Sequence, residues 1–199
     1  MRFIETIRVE NGQLCNLDLH KKRAKETILF HFGVKKSLPF DMLVPVDISL
    51  TKGTYKLRVV YSKDIEEFSI DQYVPRTIKR LRIVDGEGID YRFKYENRSA
   101  IEALLSLKTD CDDLLIIKDG YVTDTSYTNV VFAQGEDLFT PSTFLLNGVK
   151  RQSLLREGRI KERDIRVDDI KKYDGCFLIN AMLDYTPNCV VLIKGDSFC

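Results

Sequence analysis

The sequence of 199 residues predicts a fold of the α+β class. Segments with the two-residue alternation of β-strands follow one another with few helical segments between them. The strand patterns are also long, as in residues 55–62. This order favours α+β over a doubly wound sheet, in which strands and helices take turns.

The predicted first domain is small, spans residues 1–85 and begins with strands and a helix. Residues 2–9 alternate as a strand, and the Asn11-Gly12 pair predicts a tight turn into a short strand near Leu14. Four side chains recur at every fourth position and form one stripe of a helix that ends near Gly33: His20, Ala24, Ile28 and Phe32.

Three more strands complete this predicted domain. Residues 55–62 alternate between an apolar and a polar face, as expected of a half-buried strand. Two further strands are predicted around residues 67–73 and 81–84. The glycine-containing segment Asp85–Gly88 then predicts a flexible connection and the domain boundary.

The predicted second domain, residues 86–199, is larger and richer in strands. One helix is expected to begin at Asn97, with a broad apolar face, and another to follow Gly148 through Leu155. Strand patterns occupy much of the remainder, at residues 114–118, 121–124, 129–133, 138–140, 176–180 and 189–194.

Composition excludes several classes of protein. The 31 basic and 30 acidic residues nearly cancel, so no global field favours nucleic acid or a membrane surface. Charges interrupt the N-terminus and every apolar stretch, so we expect neither a signal sequence nor a membrane span. We therefore expect a cytoplasmic protein. The five cysteines have no metal-ligand spacing, which predicts free thiols and no metal site.

Lys94 is the first candidate for chemistry. An amine must lose its proton to act as a nucleophile, and burial or a neighbouring cation favours that loss. Arg92 and Arg98 flank Lys94, while Phe93 and Tyr95 supply apolar surface. Taken alone, the pattern is also that of a surface lysine on a strand.

Three other candidates could hold a charged ring cofactor. Asp124, at the end of a short strand, could keep a pyridinium nitrogen protonated. Gly148 precedes a helix whose first backbone amides suit a phosphate, and Arg23 could bind a phosphate with two hydrogen bonds. Taken singly, each has a purely structural interpretation. Asp124 is also typical of a turn, Gly148 of an ordinary loop-to-helix junction, and Arg23 of a basic helix face.

The order of these motifs resembles the class IV aminotransferases, the fold-type IV enzymes that use pyridoxal 5′-phosphate (PLP). The family includes branched-chain and D-amino acid aminotransferases and aminodeoxychorismate lyases. Five motifs match in order: His20-x-x-Arg23, Lys94-x-x-Asn97-Arg98, Val122-Thr123-Asp124 with Asn129, Leu146-x-Gly148-x-x-Arg151, and Asn180-Ala181. They follow the early strand and turn Glu5–Gly12 and run through nearly the whole chain.

The resemblance implies a two-domain architecture, PLP as cofactor and a homodimer with a small-molecule amino substrate. It implies that Lys94 forms the Schiff base with PLP and moves protons during catalysis. It further implies that the cofactor contacts the following residues besides Lys94: Arg23, Asp124, Asn129, Val149, Lys150, Asn180 and Ala181.

Within the family, Lys94-x-x-Asn97-Arg98 and Asn180-Ala181 look most like the aminodeoxychorismate lyases. That likeness implies conversion of 4-amino-4-deoxychorismate to 4-aminobenzoate and pyruvate, a step of folate biosynthesis. Arg58, Lys63 and Arg8 are candidates to bind a substrate carboxylate. Two alternatives stay open: an aminotransferase acting on branched-chain or D-amino acids, and a non-catalytic paralogue that kept the fold.

The sequence also departs from the family pattern. Asp124 stands where the family usually has glutamate. Relative to the family, we expect a shortened N-terminus that lacks a hairpin helping to shape the substrate pocket. Residues 63–69 lack the glycine-rich loop common in relatives.

Overall fold

The structure, a computed structural model, describes residues 1–44, 53–184 and 190–191. The chain divides into two compact units. The first unit comprises Met1–Pro75 and Phe93–Asn97, and the second comprises Arg76–Arg92 and Arg98–Cys199. No helix within the described ranges is long and apolar enough to cross a membrane.

The first unit is built on an antiparallel sheet with the strand order β2-β1-β3-β4. The strands and the helix of this unit are β1 (Phe3–Glu10), β2 (Gln13–Leu14), α1 (Leu17–Phe32), β3 (Thr54–Tyr61) and β4 (Ile65–Gln72). β1 pairs with β3 over its full length, from Phe3 opposite Tyr61 to Glu10 opposite Thr54. The predicted strands and turn of this region are therefore confirmed.

Helix α1 packs on one face of this sheet. Asn16 and Gly33 flank the helix in the left-handed conformation, and the Gly33 amide donates to the Leu29 carbonyl. The predicted stripe is buried at His20, Ala24 and Ile28. Their partners are the inward side chains of β1 and β3: Phe3, Ile7, Val9, Leu57, Val59 and Tyr61.

The segment Phe93–Asn97 returns to the edge of β1. The Ile4 amide donates to the Lys94 carbonyl at 3.0 Å, and the Glu96 amide donates to the Arg2 carbonyl at 3.0 Å. Between them Phe3 forms a bridge with Tyr95. These contacts place Lys94 beside Ile4 and explain why a segment so late in the sequence belongs to the first unit.

The second unit contains two sheets and two α-helices in its described part. The sheet orders are β5-β6-β7 and β10-β9-β8-β11-β12. The strands are β5 (Leu81–Asp85), β6 (Asp113–Lys118), β7 (Tyr121–Val122), β8 (Asn129–Gln134), β9 (Asp137–Pro141), β10 (Lys161–Arg163), β11 (Gly175–Ile179) and β12 (Val190–Val191), and the helices are α2 (Ser99–Leu105) and α3 (Val149–Arg156). Strand runs with few helices confirm the α+β class.

The division between units differs from the boundary predicted after residue 85. β5 pairs in parallel with β6, so it belongs to the second unit, and the chain divides after Pro75. Alternation within β5 identifies it as a strand, but it says nothing about which strand is its partner. The predicted boundary was therefore placed about one strand too late.

Other differences are local. Strand β10 was not predicted, because its sequence Lys161-Glu162-Arg163 is wholly charged and it pairs with β9 along one edge. Helix α2 begins at Ser99, two residues later than expected. Cys15 and Cys176 are free thiols as expected, whereas Cys111 is disulfide-bonded. Of the strand predicted at 189–194, only residues 190–191 lie within the described residues.

Candidate functional site

A buried carboxylate organises the polar side chains of the first unit. Glu5 lies on β1 among apolar neighbours, on the face that α1 covers, and its side chain is fully buried. Its Oε1 accepts a hydrogen bond from Arg23 Nε at 2.7 Å. Its Oε2 accepts from Arg23 Nη2 at 2.5 Å and contacts His20 Nδ1 at 2.6 Å. The stripe of α1 thus delivers two nitrogen-bearing side chains to one carboxylate.

The charges in this cluster fix its hydrogen-bond directions. Burial raises the pKa of Glu5, but the charge of Arg23 and the hydrogen bonds from His20 and Arg23 outweigh burial and lower the pKa to about 2. Since an ionised carboxylate only accepts, His20 Nδ1 carries a proton and donates it to Glu5.

The surroundings of His20 favour the neutral form of its ring. Burial lowers the pKa of His20, the hydrogen bond to Glu5 opposes that effect, and the charges of Arg23 and Lys94 lower the pKa further. Its Nε2 is buried and has no hydrogen-bond partner among the described residues. The Lys94 amine is close enough to influence this ring electrostatically.

Lys94 itself is held by its backbone. Its φ of 54° lies in the left-handed region, which residues other than Gly, Asn and Asp seldom adopt. The carbonyl of Lys94 accepts from the Ile4 amide, one residue before Glu5. The side chain is half-buried. The structure therefore brings three polar side chains of the first unit together around β1: Arg23, His20 and Lys94.

The predicted carboxylate-binding residues lie elsewhere in the first unit. Thr6 is opposite Arg58 in the β1–β3 register, so Arg58 and Arg8 project from the same sheet face, opposite to α1. Arg8 Nη2 donates to Glu10 at 2.7 Å, and Arg58 Nη2 lies 3.6 Å from a Glu96 oxygen. Lys63 lies beyond β3, with its ammonium 5.6 Å from the centre of the Phe32 ring.

Asp124 is the central polar group of the second unit. It follows β7, its side chain is buried, and both carboxylate oxygens accept hydrogen bonds. Oδ2 accepts from the backbone amides of Leu145 at 3.0 Å and Leu146 at 2.9 Å, and Oδ1 accepts from Asn129 Nδ2 at 2.7 Å. Burial raises the pKa of Asp124 to about 6, although these hydrogen bonds act in the opposite direction. The carboxylate is thus ionised above that pH and fixed in place.

Asn129 connects Asp124 to the start of helix α3. Its Nδ2 also donates to the Leu146 carbonyl at 2.8 Å. A Cβ on Gly148 would lie 2.0 Å from Asn129 Oδ1, so only glycine permits this approach. The amides of Val149 and Lys150, in the first turn of α3, have no acceptor within the helix. Such amides form an anion-binding end next to Asp124's loop.

Two further contacts hold the loop between β7 and β8. Arg98 Nη2 donates to the Ser126 carbonyl at 2.7 Å. Asn180 Nδ2 donates to the Tyr127 carbonyl at 3.5 Å, while its Oδ1 accepts from the amides of Met182 and Leu183. Asn180 therefore shapes the turn after β11 that contains Ala181. In the structure, its contacts are with protein backbone.

Sequence reasoning gave no role to two buried charged residues: Arg151 was named only as the last residue of a motif, and Glu5 only as part of the first strand. Arg151 donates to the Pro141 carbonyl at 2.9 Å and to Asn147 Oδ1 at 3.1 Å, and it pairs with Glu162. It braces the loop that supplies the amides bound by Asp124. Glu5 could have been found from sequence, since it is a charge at an inward position of an otherwise apolar alternation.

The comparison with protein families decides the family. The model of the class IV amino-transferases matches residues 59–189, about two thirds of the chain. The chain belongs to the class IV aminotransferases. The resemblance seen in the sequence is thereby confirmed, and the chain is an enzyme of the class IV type.

Relatives of the class IV chain extend this similarity over almost its whole length. An uncharacterized protein of Haemophilus influenzae is 34% identical over 90% of this chain and 97% of its own length. The crystal structure of a proposed 4-amino-4-deoxychorismate lyase from Haemophilus somnus is 30% identical, with a TM-score of 0.83, over 91% of this chain and 96% of its own.

A more distant neighbour shares the fold of this class IV enzyme. The PLP-bound form of a hypothetical aminotransferase from Mycobacterium tuberculosis is 20% identical, with a TM-score of 0.76. The match covers 99% of this chain and 81% of that one. The fold-type IV architecture expected from the sequence is confirmed by these likenesses.

Proposed function

We propose that this class IV enzyme is a PLP-dependent lyase that converts 4-amino-4-deoxychorismate to 4-aminobenzoate and pyruvate. The observation that carries the choice of reaction is the nearly full-length similarity, in sequence and fold, to the Haemophilus somnus protein proposed to be such a lyase. The geometry of each unit supports the choice of cofactor.

The donor set of the second unit suits PLP. A pyridine nitrogen needs a fixed carboxylate, and a phosphate needs amide donors. Asp124 is buried and held by three hydrogen bonds, and the open first turn of α3 follows Gly148. The near contact of Gly148 with Asn129 brings the α3 end and the Asp124 loop together. We assign Asp124 to the ring nitrogen and the amides of Val149 and Lys150 to the phosphate.

The first unit supplies an amine and a guanidinium. We assign Lys94 as the residue that attaches the cofactor covalently, and Arg23 as a phosphate ligand. Arg23 is held by two hydrogen bonds to Glu5, so its guanidinium plane is defined before any ligand binds. Asn129 is assigned to support Asp124, and Asn180 and Ala181 to line the cofactor from the turn after β11.

The chemistry divides between cofactor and protein. Bound PLP supplies an electron sink that stabilises negative charge on the substrate. Asp124 keeps a proton at the ring nitrogen. Lys94 Nζ removes a proton from the carbon of the substrate ring that bears the amine. It then returns a proton to the departing three-carbon unit, which leaves as pyruvate. The substrate ring is left aromatic as 4-aminobenzoate.

Substrate recognition requires cations, because 4-amino-4-deoxychorismate carries two carboxylates. Arg58 and Arg8 share one face of the sheet, and a guanidinium can bind a carboxylate through two hydrogen bonds. Lys63 offers only a point charge and is the weaker candidate. We assign Arg58 as the first carboxylate ligand, with Arg8 beside it.

The reaction is tested by measuring pyruvate. Purified protein with PLP and 4-amino-4-deoxychorismate should release pyruvate and 4-aminobenzoate in equal amounts, with lactate dehydrogenase and NADH reporting the pyruvate. Conversion of bound PLP to its amine form by branched-chain or D-amino acids, without pyruvate release, would establish the aminotransferase instead. Neither reaction in a protein that has bound PLP would favour the non-catalytic paralogue. A homodimer in the cytoplasm, acting in folate biosynthesis, remains our prediction.

Arg23→Ala should mainly weaken cofactor binding. The substitution removes a charged hydrogen-bond donor, and loss of such a bond costs about tenfold or more in affinity. At saturating PLP we expect turnover close to that of the wild type, so the effect appears in the dissociation constant measured by fluorescence titration. Lys22→Ala, on the exposed face of the same helix, is the matched control. An unchanged PLP affinity in Arg23→Ala would remove Arg23 from the site.

A further inference from the structure

Glu5 is placed in an unusual way for a protein expected to bind an anion. Its carboxylate is fully buried in the first unit, and its three donors all come from α1. Arg23, which carries two of those donors, is the residue assigned to the phosphate of PLP. A fixed negative charge beside a phosphate ligand opposes phosphate binding by Coulomb repulsion. Some compensating effect must therefore accompany Glu5.

The geometry identifies orientation as that effect. Two parallel hydrogen bonds, from Nε to Oε1 and from Nη2 to Oε2, fix both the position and the plane of the Arg23 guanidinium. His20 Nδ1 donates to the same Oε2 and thereby fixes the carboxylate in turn. A long arginine side chain otherwise loses much rotamer freedom when it binds a ligand.

We propose that Glu5 is a positioning residue that holds the Arg23 guanidinium in the orientation needed to bind a phosphate group. This inference rests on the proposed PLP function. His20 acts one step further away, because its hydrogen bond holds Glu5. Glu5 itself touches neither substrate nor cofactor in this role.

The sign of one measurement separates positioning from simple neutralisation. If Glu5 only reduced the positive charge of Arg23, Glu5→Gln would remove a repulsive anion, and PLP would bind more tightly. If Glu5 positions Arg23, Glu5→Gln releases the guanidinium, and PLP binds more weakly. Pyridoxal lacks the phosphate, so its affinity should change little in either case.

The experiment measures dissociation constants of PLP and pyridoxal for wild type, Glu5→Gln, Arg23→Ala and the double variant. We expect Glu5→Gln to weaken PLP binding about tenfold, as for loss of a charged hydrogen bond, and pyridoxal binding less than about twofold. The double variant should bind PLP no more weakly than Arg23→Ala alone, since both changes act through one guanidinium. Tighter or unchanged PLP binding by Glu5→Gln would overturn the inference.

Two additions keep the result decisive. Glu67→Gln, which removes a carboxylate from an exposed ion pair with Arg2 in the same unit, is the control and should bind PLP like wild type. If circular dichroism shows that Glu5→Gln is unfolded, Glu5→Asp decides, because it keeps the charge but shortens the reach. Selective loss of PLP over pyridoxal in Glu5→Asp supports the inference, and equal loss of both overturns it. Wild type that binds no PLP would instead overturn the proposed function.

Discussion

Lys94→Ala is expected to abolish both turnover and covalent attachment of the cofactor. The amine is the only group of this side chain that can bond to PLP and move protons, and alanine has none. With added PLP, wild type should show a visible absorbance band that shifts on borohydride treatment. The reduced cofactor should then stay attached to the protein after denaturation and serve as a covalent label. Lys94→Ala should show only the spectrum of free PLP and no retained label.

Lys21→Ala is the matched control for this result. Lys21 is partly buried in the same unit and forms an ion pair with Asp41, so its loss tests whether removing any lysine there has the same effect. We expect its spectrum and pyruvate release to match wild type. Turnover by Lys94→Ala equal to that of wild type would end the proposed mechanism.

Asp124→Ala should leave PLP bound but reduce turnover by about a hundredfold or more, as expected for removing one fixed charge from an active site. Lys94 still attaches the cofactor, while the ring nitrogen no longer has a carboxylate to keep it protonated. The substitution also leaves the amides of Leu145 and Leu146 without their acceptor. Asp124→Asn restores an acceptor without the charge, so it should lose turnover with less loss of stability.

The chain contains a matched control for Asp124. Asp112 Oδ2 likewise accepts from two consecutive amides, those of Lys79 at 2.7 Å and Arg80 at 2.9 Å, but it is exposed. Asp112→Asn should retain full turnover, which separates loss of a loop contact from loss of the catalytic charge. Asp124→Asn with the turnover of wild type, measured as pyruvate release, would remove Asp124 from its assigned role.

Local patterns predicted most elements of the fold, because a helix or strand that is buried on one face has apolar residues at a regular spacing. Alternation identified β1 and β3, and the four-residue stripe identified α1 with its end at Gly33. Partners between strands were not predictable in this way. β5 was assigned to the wrong unit because its partner β6 comes about thirty residues later, and the charged strand β10 has no period to read.

The residues proposed to carry the chemistry could be predicted from the sequence, but the residues that hold them in place could not. Lys94, Asp124 and Gly148 stand in motifs of fixed order, so a single sequence can suggest them. The structure adds what sequence separation hides: Glu5 beneath Arg23, and a loop braced by Arg151 around Asp124. Such partners meet only after folding.

The left-handed backbone at Lys94 has an evolutionary consequence. A residue with a Cβ in this conformation costs roughly 1–2 kcal/mol relative to glycine, which adopts it without strain. Selection for a stable fold alone would replace the lysine with glycine or asparagine. A chain that had abandoned chemistry should therefore drift away from lysine at position 94. This chain carries lysine at position 94 in spite of that cost, as expected if its amine is used.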